Sequence, residues 1–476
     1  MSGIDEAFRA RARALLGPAG IIEDPAEMAP YLRDWRKRYV GAAGLVARPA
    51  STAELSAIVA LAAEARVPVV PQGGNTGLCG GATPDPGGGA MLVSLARMNR
   101  VRTLDAANGT ILVEAGVTLA AVQAAAEGAD RLFPLSLAAE GTATIGGNLS
   151  TNAGGVAVLR YGNARDLVLG LEVVLADGRV WDGLRALRKD NTGYDLKQVF
   201  IGAEGTLGII SAAVLKLFPR PRALATAFVA VPGPDAAIAL LDAVRAGAGD
   251  AVTAFELVPR FALDLVLAHF PGTADPLAAP SPWYVLVELS AGGEGAPRLD
   301  SDLERILAGA LEAGLATDAT IAGSEARRTA LWRLRESISE AQAREGASVK
   351  HDISVPVGAI PAFVQEGAET VARLAPGSRL CAFGHAGDGN LHFNVSQPVG
   401  ADGPAFLAGS GPLTRALHDL VAAHGGSISA EHGLGQLKAA EVERYRQPLE
   451  RELQRRLKTA FDPLGILNPG KVFPLD

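Results

Sequence analysis

Two glycine clusters limit what this chain can fold into more tightly than any other feature. Pro71-Gln72-Gly73-Gly74-Asn75-Thr76-Gly77 and Gly141-Thr-Ala-Thr-Ile-Gly-Gly-Asn148, the latter running on to Gly155, interrupt a stretch that otherwise alternates strand and helix signals. Glycine weakens helix and strand interiors alike, so neither cluster belongs inside an element. What such segments offer is converging backbone N–H groups and close approach to main chain, which suit anionic oxygens and a flat ring. The first cluster lacks the Lys-Ser/Thr of a P-loop, and the chain contains no GxGxxG, so a Walker nucleotidase or an NAD-binding Rossmann domain is disfavoured. A third element, Ala203-Glu-Gly205-Thr-Leu-Gly-Ile209, leads into an apolar strand. Together the three imply a dinucleotide cofactor lying against bare backbone.

The remaining composition narrows the class. At 476 residues and 48% hydrophobic, the chain exceeds a single core and implies two or more domains. Its net charge of −7 argues against a nucleic-acid partner. Cys79 and Cys381 are its only cysteines, which excludes a disulfide framework or a cysteine-based zinc or iron–sulfur site and suits a reducing compartment. The charge-free stretch 141–159 is too rich in Gly, Thr, Ser and Asn for a transmembrane helix. The N-terminal MSGIDEAFRARARALLG is Ala- and Arg-rich like a transit peptide, yet carries Asp5 and Glu6 and lacks an apolar signal core. It reads as the first helix of a cytoplasmic protein.

Secondary-structure signals predict short strands at 44–48, 67–70, 92–94 and 110–114. Helices are predicted over 51–65, opened by the capping box Ser51–Glu54, and over 118–127, capped by Thr118. The composition shifts at Phe218-Pro-Arg-Pro-Arg222, where a domain boundary is expected. Beyond it a split βαβ order appears twice: 225–231, 234–246, 252–258, 283–289 and 299–313, then from 348 through 361–374, 380–383, 391–395, 411–423 and 426–429. Two such halves could pair into one wide sheet. A charged helix follows from Glu441.

The histidines carry a second signal. His385 and His392 bracket Gly-Asp-Gly-Asn, a turn sequence, so they flank a hairpin and converge. His392 and Asn394 share a strand face. Two imidazoles plus Glu431 make a His₂Glu donor set, which suits zinc with an open coordination position. Arg335 and Ser339 stand four apart on a helix, hence on one face, and Lys350 follows on the next strand. A solvated face is the ordinary fate of such an arginine, and a hydrogen-bonded core that of a single histidine.

The three glycine elements resemble the FAD-binding domain of the vanillyl-alcohol oxidase or PCMH-type flavoproteins. Phe383-Gly-His385-Ala-Gly-Asp-Gly-Asn-Leu-His392-Phe-Asn394, Ile428-Ser-Ala-Glu431-His432-Gly-Leu-Gly435 and Leu467-Asn468-Pro-Gly-Lys471 resemble the FAD-linked D-2-hydroxyacid dehydrogenases. The Ser-Ala-Glu-His-Gly form is most similar to D-2-hydroxyglutarate dehydrogenases. The resemblance covers roughly residues 40–476. It implies an α+β fold: a two-subdomain PCMH-type FAD domain over 1–220, a cap over 221–425 with an antiparallel sheet of ferredoxin-like halves, and a segment 426–476 returning to the FAD domain. Its implied FAD contacts are Gln72, Gly73, Gly74, Asn75, Thr76, Gly77, Ser136, Gly141, Thr144, Gly147, Asn148, Thr151, Gly154, Gly205, Ile209 and Asn468.

By the same resemblance Arg335, Ser339, Lys350 and Asn394 bind substrate carboxylates, with Ser339 where the family usually has Thr. His385, His392 and Glu431 hold a divalent metal, Zn²⁺ in first place, and His432 is the base. Members with covalent FAD commonly attach it through a histidine of the FAD domain. The first histidine here is His269, so noncovalent FAD is expected, Cys79 being the other candidate nucleophile. The implied reaction is oxidation of a D-2-hydroxyacid, 2-hydroxyglutarate before lactate or glycolate, with electrons passing to an electron-transfer flavoprotein or a quinone. A homodimer is open, as are two other readings: a non-catalytic FAD-binding oxidase subunit, and a metal hydrolase that would leave the glycine clusters unexplained.

Overall fold

The computed structural model describes residues 4–292 and 298–475. The chain forms two compact units. One gathers Met1–Gly155, Gly162–Arg220 and Glu431–Asp476; the other comprises Val156–Tyr161 and Pro221–Ala430. The return to the first unit falls at Glu431 rather than 426 because Ser427 still pairs with Ser354 through two backbone hydrogen bonds of 2.8 and 3.0 Å. That bridge is all that forms where a strand over 426–429 was expected.

Among the described residues the first unit is built on two main sheets, with a two-stranded pair, Arg131–Leu132 and Phe218–Pro219, in addition. In the smaller, strands run in the order Ile21–Ile22, Leu45–Ala47, Met91–Ser94 and Val69–Gln72, and the last three are parallel. Helix Thr52–Ala65 connects two of these strands. Ser51 caps it, accepting from the Glu54 amide at 3.2 Å, while the Glu54 carboxylate turns back to the Ala50 amide at 2.8 Å. Leu55, Ile58, Val59 and Leu61 on this helix are buried among Val69, Met91 and Val93, each contributing about 2 kcal/mol. The larger sheet is antiparallel, in the order Val101–Asp105, Thr110–Glu114, Ile209–Lys216, Val168–Val174, Val180–Gly183. The C-terminal segment joins the smaller sheet: the Val69 amide donates to Ile466 O and the Asn468 amide to Val69 O, both at 2.8 Å.

The second unit also contains two sheets, both antiparallel. Strands Val252–Pro259, Trp283–Ala291, Ala223–Val231 and Asp318–Ile321 form one in that order. In the other, Asn390–Ser396 is paired by Ser348–Val349, Asp352–Ser354 and Arg379–Phe383. The two halves foreseen in the sequence therefore build separate four-stranded sheets, linked by a single bridge from Leu257 to Gly384 rather than by a continuous ladder. Among the described residues no helix is long and apolar enough to cross a membrane.

Candidate active site

In the first unit the two glycine clusters meet. A Cβ on Gly73 would stand 2.3 Å from Thr144 Oγ1, and one on Gly74 only 1.8 Å from Thr142 O. Only glycine permits that approach. Asn75 follows with φ +53°, its side-chain amide donating to Arg33 O at 2.9 Å. Gln72 spends its amide on Tyr31 O and Ala82 O (2.8 and 3.0 Å), and Ser136 donates to Glu140 at 2.7 Å. A Cβ at Gly77 or Gly141 would touch no protein atom within 4 Å, so bare backbone is presented there.

Gly147 and Asn148 lie in the short helix Ile145–Ser150, with Thr144 before it and Thr151 after, the Thr151 hydroxyl donating to Gly147 O. Gly205, at φ +71°, closes on Pro71, and Ile209 opens its strand. Asn468 donates to Gly81 O (3.0 Å) and Glu204 O (2.7 Å). Thr144 Oγ1, Asn148 Nδ2 and Asn468 Oδ1 are buried without a hydrogen-bond partner in the protein. Buried polar atoms are nearly always satisfied, so three orphans among the expected FAD contacts fit a polar cofactor at this place.

Glu204, absent from the sequence reading, anchors the loop that carries Glu431 and His432. Its buried carboxylate accepts from the amides of Leu434 (2.7 Å) and Gly435 (2.8 Å). Burial pushes the carboxyl up, and those two amides oppose the push. Glu431 lies against the second glycine cluster: a Cβ on Gly154 would come 2.7 Å from its Oε1.

In the second unit the histidines converge as the turn sequence required. Gly384 and Gly389 take positive φ, and the His385 and His392 rings stand 5.9 Å apart with ligand nitrogens within 4.8 Å. His392 lies opposite both Phe383 and Asp352 in the strand register. The Ala430 amide bonds to Asp352 O, and Glu431 is the next residue.

His385 is oriented by a residue the sequence reading passed over. Its Nδ1 donates to Glu256 Oε1 at 2.6 Å, and Glu256 Oε2 accepts from Arg335 Nε at 2.8 Å. Burial alone would raise the Glu256 carboxyl, but the His385 ring and the Arg335 guanidinium that donate to it outweigh burial and hold it at about 2. Arg335 is thus buried, its guanidinium 4.9 Å from the centre of the Phe383 ring.

Arg335 and Ser339 do not share one helix. Helix Glu325–Glu336 ends before Ser337, a new one begins at Ile338, and Ser339 is exposed. Lys350 and Arg335 both act on the buried Cys381, whose thiol is pushed up to about 12 by burial against their pull. Asn394 is held by Gln342 Oε1 at 2.9 Å and by the His351 amide at 3.2 Å. The signal that could have found Glu256 was local. It is the one ionisable residue in the strand sequence VTAFELVP, and lone acids are seldom buried without a partner.

Comparison with known proteins places the class. Residues 43–183 match the family described as FAD binding domain, and 220–472 match FAD linked oxidases, C-terminal domain. In fold the chain resembles p-cresol methylhydroxylase (TM-score 0.77, 17% identity, 99% of this chain and 98% of that one). It also resembles alkyldihydroxyacetonephosphate synthase (0.75, 18%, 98% and 87%).

Sequence relatives are closer. D-2-hydroxyglutarate dehydrogenase, mitochondrial, of Bos taurus is 42% identical over 96% of this chain and 82% of its own length. The D-2-hydroxyglutarate dehydrogenases of Xanthomonas citri pv. viticola and Stutzerimonas stutzeri are 39% and 36% identical, over 94% and 98% of this chain and 93% and 99% of theirs. The chain belongs to the D-2-hydroxyglutarate dehydrogenase family of FAD-linked oxidases. These relatives also correct the cytoplasmic expectation: those from Bos taurus, Arabidopsis thaliana and Rattus norvegicus are mitochondrial by name. Two buried cysteines and a charged N-terminus do not decide between reducing compartments.

Proposed function

We propose that this protein oxidises D-2-hydroxyglutarate to 2-oxoglutarate with FAD and a divalent cation. The observation that carries the reading is the buried chain Arg335–Glu256–His385, which sets a carboxylate-seeking guanidinium and a metal-seeking imidazole on one anchor. Arg335 and Lys350 together suit a substrate with two carboxylates, and the relatives named above supply its identity.

The glycine-cluster residues would hold noncovalent FAD, which would supply the hydride acceptor. His385, His392 and Glu431 would hold a divalent cation, zinc by its donor set, which would supply Lewis acidity toward the 2-hydroxyl. His432 takes the hydroxyl proton. Arg335, Lys350, Ser339 and Asn394 orient the substrate carboxylates and so fix the position of C2. Gln342 and the His351 amide fix the Asn394 amide for that task. Electrons leave to a redox acceptor of the electron-transfer flavoprotein or quinone class.

The test is anaerobic mixing of metal-replete protein with D- and L-2-hydroxyglutarate, D-lactate and D-malate. D-2-hydroxyglutarate should bleach the flavin fastest, its L-enantiomer not at all, and a chelator should abolish the effect. No bleaching by any D-2-hydroxyacid overturns the proposal. Acid precipitation should leave the yellow colour in the supernatant.

A further inference from the structure

The strand Val252–Pro259 is apolar except for Thr253 and Glu256, and Glu256 is 1% exposed. A carboxylate taken out of water is strongly unfavourable unless both oxygens are paired. Here each oxygen has a different partner: Oε1 takes His385 Nδ1–H and Oε2 takes Arg335 Nε–H. Each bond fixes more than a distance. A carboxylate on Nδ1 makes that nitrogen the protonated one and gives Nε2 the lone pair a metal requires. A carboxylate on Nε, with the Phe383 ring against the guanidinium, sets the plane of the Arg335 fork and directs its terminal nitrogens.

We propose that Glu256 is a positioning residue that couples the metal centre to the carboxylate clamp by holding His385 and Arg335 at once. This deepens the function proposed above and rests on it. A carboxylate that shifts toward one partner loosens the other, so metal affinity and substrate affinity fall together when Glu256 is changed.

The same sheet supplies a control. Glu288, on the neighbouring strand Trp283–Ala291, is likewise buried and accepts from Thr226 Oγ1, Arg328 and Trp332 Nε1 at 2.7–3.1 Å. Its partners are none of the groups assigned to metal or substrate. Glu256 as mere structural glue would behave as Glu288 does.

The experiment uses FAD-loaded, full-length protein stripped of metal. Zinc affinity is read by competition with a chromophoric chelator, and KM and kcat for D-2-hydroxyglutarate are read at saturating zinc. Glu256→Gln should weaken zinc binding by about 10–100-fold, the effect usual for a histidine's supporting carboxylate. At saturating zinc its KM should rise roughly tenfold or more, as expected for a mispositioned charged hydrogen bond. Glu256→Asp keeps the charge but is a methylene too short to span both partners, and both shifts should be smaller. Glu288→Gln should lower the thermal midpoint and move neither readout.

Wild-type zinc affinity and KM in Glu256→Gln, with a thermal loss like that of Glu288→Gln, overturns the proposal. Should Glu256→Gln not fold, Glu256→Asp decides on the same two readouts, unchanged values overturning it. Failure of the function proposal shows separately, as wild-type flavin that D-2-hydroxyglutarate does not bleach. The zinc titration still judges the link to His385 in that case.

Discussion

The glycine clusters of residues 71–155 and the histidine strands of residues 379–396 solve the problem of recognition in opposite ways. The first removes side chains: Gly73 and Gly74 press backbone against Thr144 and Thr142, so a ligand bound there would meet shape and main-chain polarity. The second ties His385 through Glu256 to Arg335, all three below a tenth exposed, so a ligand bound there would meet fixed dipoles and charge. Damage should therefore be steric in one region and electrostatic in the other, and each should be able to fail alone.

The largest test of that contrast is His392→Ala. On the proposed role of a cation at this position, loss of its Lewis acidity would cost several kcal/mol, so turnover should fall on the order of 10³-fold while flavin content stays normal. Absorbance spectra and metal analysis check it, and loss of flavin would break the contrast. The reciprocal change is Gly74→Ala, whose Cβ would lie 1.8 Å from Thr142 O. Purified protein should carry little flavin, while its metal content should match that of the wild type.

Gly77→Ala sharpens the point. No protein atom lies within 4 Å of the added carbon. FAD-free thermal stability should be unchanged while flavin affinity drops, and equal affinity would place FAD away from Gly77.

A smaller effect concerns charge buried in the glycine-bearing unit itself. Glu114 is fully buried on the larger sheet and accepts from Arg100 and Arg102. Burial works to raise its carboxyl, but the Arg100 bonds and charge outweigh that and hold it below the usual carboxylate range. A depressed carboxyl stabilises the fold above its ordinary titration range and ceases to as pH falls through the depressed value. Glu114→Gln should lose about 1–3 kcal/mol at neutral pH, with the gap to wild type shrinking below about pH 4. Denaturant titrations at several pH values check this. Smallest is Thr118→Ala, which removes the cap on the Ala121 amide and should cost about 1 kcal/mol without touching flavin or metal.

Local signals carried much of this molecule. Ser51 and Thr118 mark helix starts because capping is chemistry between near neighbours, and strand Thr110–Glu114 falls where its short strand signal put it. The convergence of His385 and His392 was readable because the turn lies between them in sequence. Glu256 was not, since its two partners stand 129 and 79 residues away and only a folded sheet brings them in. The break at Ser337 escaped notice for another reason: its backbone stays near helical values (φ −76°, ψ −9°), so no proline or glycine announces it. The two halves of the second unit repeat an order of strands and helices, but whether such halves share a ladder depends on edge pairing, which no single segment encodes.

Val156–Tyr161 leaves the first unit straight after the second glycine cluster and makes one turn in the second before the chain goes back. With the passages after Arg220 and Ala430, the polypeptide threads to and fro, so neither half is a contiguous gene segment. A deletion mapper cutting at residue 220 would take from the front piece the strand-like Ile466–Asn468 that pairs with Val69, and from the rear piece the turn whose Leu159 packs on Gly387. Recombination can thus exchange such halves only as an insertion with both flanks kept, and split versions of this protein should recover solubility only when the two fragments are co-expressed.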